Sequence, residues 1–189
     1  MDKKTAYVFF ATGFEEIEAI TPVDILRRGG VEVKTISTTK ELYVQGAHNI
    51  EIACDYIIDE ILDAELPDAV IMPGGMPGAT NLAECQELKE LATKSLEEGK
   101  LVCAICASPA IVFGKYGFLK NKNWTCYPNM ENEAPKEALS FWKADPVVID
   151  GNLISSRGPG TAADFSYAIL EQLGLTEKAK ALKSSMLFD

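Results

Sequence analysis

Apolar residues fall along this chain in short blocks of two kinds. Thr5 to Ala11, Ala69 to Met72 and Leu101 to Ile105 are continuous apolar runs of strand length, as expected of strands buried on both faces. Val31 to Ser37 alternates and predicts another strand. Between them the spacing turns helical. Glu15 to Arg28 predicts a helix with Ile17, Ile20, Val23 and Ile25 or Leu26 toward the core. Thr12 to Glu15 has the spacing of a capping box before it, and Gly29-Gly30 stops it. Pro22 lies inside that helix and has no N–H for the carbonyl of Glu18, so a kink near Glu18 is expected. Further helices are predicted over Leu82 to Glu98, from Ala107 with Pro109 in its first turn, over Thr161 to Leu173, and over Glu177 to Lys183. Residues 41–53 read as two short strands around Gly46-Ala47, Tyr56 to Ala64 as a weak helix, and Trp124 to Tyr127 as a short strand. Residues 129–143 read as irregular. Val147 to Ile149 and Leu153 to Ser155 form a hairpin over Asp150-Gly151-Asn152. Strands alternating with helices imply an α/β fold whose parallel sheet is covered on both faces.

Composition narrows this picture. The 189 residues fit one domain, 1–189, with 47% apolar and 24% charged residues. A net charge of -10 argues against nucleic acid, which needs a basic face. No apolar run is long enough to span a bilayer, and the amino terminus has no signal-peptide pattern, so no membrane association is expected. The five cysteines are scattered and odd in number, and read as reduced thiols in a cytoplasm. No Gly-x-Gly-x-x-Gly or Walker pattern occurs and no second pair of ligands stands at zinc spacing, so neither a cofactor nor a metal is expected.

In a parallel sheet, ligands bind outside the carboxyl ends of the strands. Cys106 falls on the sharp turn between a buried strand and a helix start, in the manner of a nucleophile elbow. A helix N-terminus there favours thiolate, and a depressed thiol pKa is expected; a small buried apolar residue is the bland alternative. Gly75, in Pro73-Gly74-Gly75, and Ala107 can present N–H groups to an oxyanion. Glu15, Glu16 or Glu18 can move a proton or hold an oxidised sulfur. Arg157 can hold an anionic substrate or pin a loop. Cys103-Ala104-Ile105-Cys106 has dithiol spacing, but Cys103 lies inside the predicted strand, aimed away from Cys106.

These blocks resemble the ThiJ/PfpI superfamily, closest to the branch of the Parkinson-linked deglycase and its bacterial relatives. The resemblance rests on Gly13 to Ala19, Pro22 to Gly30, Met72 to Ala79, Ala104 to Pro109 and Ser156 to Thr161, in that order. It implies a flavodoxin-like three-layer sandwich, a homodimer, Cys106 as the reactive cysteine, Glu18 as the carboxylate that touches it, and Gly75 and Ala107 as oxyanion donors. It also implies glyoxalase or deglycase chemistry on small carbonyls, redox sensing through a sulfinate, chaperone activity or, in another branch, peptidase activity.

One position departs from that pattern. Many active members carry a histidine before a proline where this chain has Tyr127-Pro128. The sole histidine is His48, where relatives have a dimer-interface residue. A phenol is a poor proton shuttle at neutral pH. Two expectations follow: a cysteine-dependent enzyme acting on small reactive carbonyls through Cys106 and Glu18, with Tyr127 and Arg157 lining the site, or a redox sensor or protective protein in which Cys106 is oxidised and held by Glu18.

Overall fold

The structure, a computed structural model, describes residues 3–188. Its centre is a seven-stranded sheet in the order β5-β2-β1-β6-β7-β9-β8. The strands are β1 (Thr5–Phe10), β2 (Glu32–Ser37), β5 (Tyr56–Ile57), β6 (Ala69–Met72), β7 (Leu101–Ile105), β8 (Val147–Asp150) and β9 (Leu153–Ser156). All neighbours pair in parallel except β8 with β9, the expected hairpin. A separate antiparallel pair, β3 (Tyr43–Gln45) and β4 (Glu51–Ala53), lies outside this sheet.

The side-chain alternation of the strands divides the core in two. Tyr7, Phe9, Val102 and Ala104 face α2 (Gly78–Glu84) and α3 (Gln86–Glu97). Ala6, Val8, Phe10, Cys103 and Ile105 face α1 (Glu16–Arg28) and α5 (Ala162–Gln172), against which α6 (Thr176–Ser185) packs. A sheet with both faces covered needs strands apolar at every position, which is why these runs do not alternate. The layout is the expected α/β, flavodoxin-like sandwich. Strand order reverses at β1, between β2 and β6, so the crevice at the carboxyl ends of β1, β6 and β7 is the switch point where such folds bind ligands. Among the described residues no helix is long and apolar enough to cross a membrane.

Several local expectations change. α1 carries Pro22 within its span, and its cap is the side chain of Glu15, which accepts the Glu18 N–H at 2.7 Å; Thr12 does not cap it. Its buried face is Glu18, Ala19, Pro22, Val23, Ile25 and Leu26, while Ile17 and Ile20 face out at 54% and 37% exposure. The predicted helix over 82–98 is two helices, because Cys85 takes an extended ψ of 109°. Tyr56 and Ile57 pair with β2 as an edge strand before a 3₁₀ turn, Ile58–Ile61. Trp124 to Tyr127 is no strand. Trp124 makes one isolated bridge, to Trp142, and its indole N–H donates to the Ala138 carbonyl at 2.9 Å. Within 129–143 the chain forms two 3₁₀ turns, Met130–Glu133 and Lys136–Phe141.

Candidate functional site

Cys106 follows β7 with φ of 66°, in the left-handed region that non-glycine residues avoid. Its N–H donates to the Ser156 carbonyl at 3.0 Å and its carbonyl accepts the Tyr127 N–H at 2.9 Å. Held from both sides, the residue keeps a conformation it would otherwise leave, the usual condition for strain at a functional position. The chain then turns through Ala107 and Ser108, whose hydroxyl donates to the Pro73 carbonyl. Pro109–Phe113 is a π-helical turn running into α4 (Gly114–Tyr116); such wide turns recur at functional sites.

The loop after β6 is fitted against the loop after β1. Glu15 N–H donates to the Gly74 carbonyl at 3.0 Å and Gly78 N–H to the Gly13 carbonyl at 3.1 Å. Gly75 has φ of 89°, and a Cβ there would overlap the Glu15 backbone nitrogen. A Cβ on Gly74 would lie 2.5 Å from the Cys106 Cβ and 2.6 Å from Glu18 Oε2. Both glycines are required by close approach, one to the cysteine and carboxylate, the other to the turn that carries Glu15.

Glu18 is fully buried and Oε2 accepts the Gly74 N–H at 3.1 Å. Burial raises its pKa to about 7, against lowering contributions from the Cys106 thiol and the Gly74 amide, with Glu15 adding to the rise. Carboxylate and thiol act on one another through a side-chain hydrogen bond and through charge. Burial pushes the Cys106 thiol up, and an ionised Glu18 pushes it further; the amides of Gly75 and Ala107 pull it down. The expected depression of the thiol is therefore not what the structure gives: its pKa is raised, by burial first and by Glu18 second. A helix start supplies partial charges, and these are outweighed by burial and a full negative charge in contact. Carboxyl and thiol form a unit in which a proton on Glu18 removes the charge that opposes the thiolate.

Tyr127 is half-exposed. Its ring lies against Gly158, where a Cβ would stand 3.2 Å from Tyr127 Cδ2 and 3.8 Å from Glu18 Oε1. Tyr127 and Arg157 both line a shallow cavity of about 240 Å³ with Gly158 and Thr161. Arg157 is committed to the loop: Nη1 donates to the Ala144 carbonyl at 2.7 Å and the guanidinium lies over the Trp142 ring at 6.0 Å. Of its two expected roles the structure supports the pin. A wider cleft of about 740 Å³ flanks the elbow on another side, lined by Met76, Thr80, Ile111, Met130 and Pro135. Cys103 is sealed in the core and burial pushes its thiol pKa up, while burial raises that of Cys126 to about 12; neither is placed as a working thiol.

Sequence reasoning missed the Glu16–His48 pair. Glu16 is buried at 7% exposure; its Oε1 accepts the His48 backbone N–H and its Oε2 faces His48 Nδ1, both at 2.7 Å. Glu15, Glu16 and His48 bring ligand-type atoms within 4.8 Å of one another. Those of Glu16 are engaged with His48 and Glu15 Oε2 with the Glu18 N–H, so the group is a hydrogen-bonded cluster. Periodicity carried no sign of it, because Glu16 reads as an ordinary acidic residue of a first helical turn.

Residues 4–172 match the profile of the DJ-1/PfpI family. The chain belongs to that family. It is 37% identical over 176 residues to Protein DJ-1 homolog B of Arabidopsis thaliana, covering 93% of this chain but only 40% of that protein's length. It is 34% identical over 168 residues to Glutathione-independent glyoxalase DJR-1.2 of Caenorhabditis elegans, covering 89% of this chain and 87% of that one. Among solved structures, oxidized Toxoplasma gondii DJ-1 superposes with a TM-score of 0.92 at 30% identity, covering 97% of this chain and 98% of its own.

Proposed function

We propose that this DJ-1/PfpI chain acts on small 2-oxoaldehydes through Cys106 and Glu18, with Gly75 and Ala107 as oxyanion donors. The observation that carries the reading is a cysteine on a left-handed turn beside a buried carboxyl whose pKa stands at about 7, where a general acid–base works best at neutral pH. The thiol passes its proton to Glu18 as sulfur adds to the aldehyde carbon, and the resulting oxyanion meets the two amides. Glu18 returns that proton to the oxyanion, and its carboxylate then takes the hydrogen of that carbon as a proton and delivers it to the neighbouring ketone carbon by way of an enediol, while the hydroxyl proton passes to the ketone oxygen. The first carbon is oxidised and the second reduced, so no outside oxidant is needed. Water hydrolyses the thioester, releasing a 2-hydroxy acid and the thiol. Release of such aldehydes from amine or thiol adducts, a deglycase reaction, draws on the same addition. The similarity to a nematode protein named as a glyoxalase supports this class. The test is methylglyoxal turnover by wild type beside Cys106→Ser: activity retained in the variant ends the reading.

A second reading has its own support. A carboxyl that keeps its proton near neutrality can donate to a sulfinate oxygen on Cys106, and Tyr127 leaves the site without an imidazole. In that case two equivalents of peroxide oxidise the thiolate by way of the sulfenate, each giving up one oxygen atom and leaving water. Intact mass after mild peroxide distinguishes a stable product with two added oxygens from over-oxidation. We also propose a homodimer, supported by the exposed apolar residues Ile17, Ile20, Tyr43 and Ile50 on α1 and around the β3–β4 hairpin.

A further inference from the structure

The β3–β4 hairpin stands outside the main sheet, yet it is bolted to the turn that builds the site. Gly13 N–H donates to the Gln45 carbonyl and Ala47 N–H to the Phe14 carbonyl, both at 2.8 Å, and Phe14 bridges to Gly46. The Glu16 carboxylate lies where a Cβ on Gly46 would be, and both its oxygens engage His48. On the other side, the same turn takes the Gly74 and Gly78 contacts of the oxyanion loop and starts the helix that carries Glu18.

We propose that His48 is a positioning residue for Cys106: through Glu16 it clamps the hairpin onto the Gly13–Glu18 turn, which carries the carboxyl beside the cysteine. A buried carboxylate needs compensation, and Glu16 receives two hydrogen bonds from His48, with the Ile50 backbone adding to them. The charged groups that act on His48 are Glu16 and Glu15, and they hold its imidazolium above the ordinary histidine pKa; Glu15 in turn acts on Glu18. The proposal rests on the reading that Cys106 and Glu18 work as a pair.

The test uses alkylation of Cys106 by iodoacetamide, followed by peptide mass so that Cys85 is scored separately, across pH in wild type, His48→Ala and His48→Gln. The expected result is a fall in Cys106 alkylation of about threefold or more in His48→Ala. Glutamine can still donate to Glu16, so His48→Gln should return to within about twofold at neutral pH while losing the step set by the imidazole. The chain has one histidine, so its ring resonance titrates unobscured by NMR. Glu16→Gln should lower its midpoint, because removing the negative charge that the ring contacts disfavours the imidazolium. Wild-type rate and pH profile in a folded His48→Ala overturn the proposal. If that variant does not fold, a His48 midpoint indifferent to Glu16→Gln overturns it instead. Should the Cys106 profile itself ignore Glu18→Gln, the failure is that of the Cys106–Glu18 pairing and not of the clamp.

Discussion

Glu18 and Gly74 are joined by a hydrogen bond from the Gly74 N–H to Oε2 at 3.1 Å, which ties the buried start of α1 to the loop after β6. One thiol and one amide are little compensation for a carboxylate with no exposed surface. The cost appears as a pKa of about 7 in place of 4.5, and it makes stability depend on pH.

Below pH 4.5 the carboxyl is protonated folded or unfolded and contributes no penalty. Between 4.5 and about 7 the folded chain keeps a proton that the unfolded chain gives up, so stability falls as pH rises; above 7 the full penalty stands. Its size is at most about 3 kcal/mol. Glu18→Gln should therefore melt several degrees above wild type at pH 8 and close to it at pH 4.5. Thermal unfolding of both proteins across this range checks it; a difference constant with pH would mean that Glu18 does not titrate in this window.

Gly74→Ala should separate the cysteine from its carboxyl. The new methyl lies 2.5 Å from the Cys106 Cβ and 2.6 Å from Glu18 Oε2, distances no relaxed packing allows. A loss of stability of about 1–3 kcal/mol is expected, together with a drop of tenfold or more in Cys106 alkylation beyond what partial unfolding explains. Urea unfolding and alkylation in native buffer separate the two effects.

The sheet was legible because its central strands β1, β6 and β7 are continuous apolar runs, and Cys106 because a strand, a turn and a proline-led helix meet there. The inward row of α1 was misread. Counting apolar residues turned Ile17 and Ile20 to the core, whereas the row that packs on the sheet contains Glu18. A buried acid at a site breaks the hydrophobic period at the very place where the function lies, so periodicity points away from it. Glu16 and His48 escaped for a related reason: their partnership depends on a hairpin folding back over 32 residues, which no local pattern encodes.

The two outward isoleucines carry their own prediction. Ile17 and Ile20 are 54% and 37% exposed, with Tyr43 and Ile50 at 64% and 53%, and a stable interface needs such an apolar centre. Ile17→Glu should convert a dimer to a monomer without disturbing the folded chain, since the side chain has no core contact to lose. Light scattering after gel filtration at micromolar concentration reads the mass. A monomeric wild type, or a dimeric Ile17→Glu, places the interface elsewhere or removes it.

Tyr127→His tests whether proton transfer limits turnover. The Tyr127 backbone N–H already holds the Cys106 carbonyl at 2.9 Å, and that bond survives any side chain but proline. Its ring lies against Gly158, within reach of the space beside Glu18 Oε1, so an imidazole on the same backbone would stand at the mouth of the site. Turnover of a 2-oxoaldehyde moves a proton between adjacent carbons. A phenol seldom accepts one at pH 7, whereas an imidazole titrates there. A well-placed acid–base contributes about 10²–10⁴-fold; one installed without supporting contacts should give about tenfold. The comparison is methylglyoxal kinetics of wild type, Tyr127→His, and Tyr127→His combined with Cys106→Ser. A gain only in the single variant identifies Tyr127 as the position where this chain lacks a shuttle. No gain, with folding intact, means that Glu18 alone carries the proton, and a gain that survives loss of Cys106 means that the imidazole acts outside the elbow.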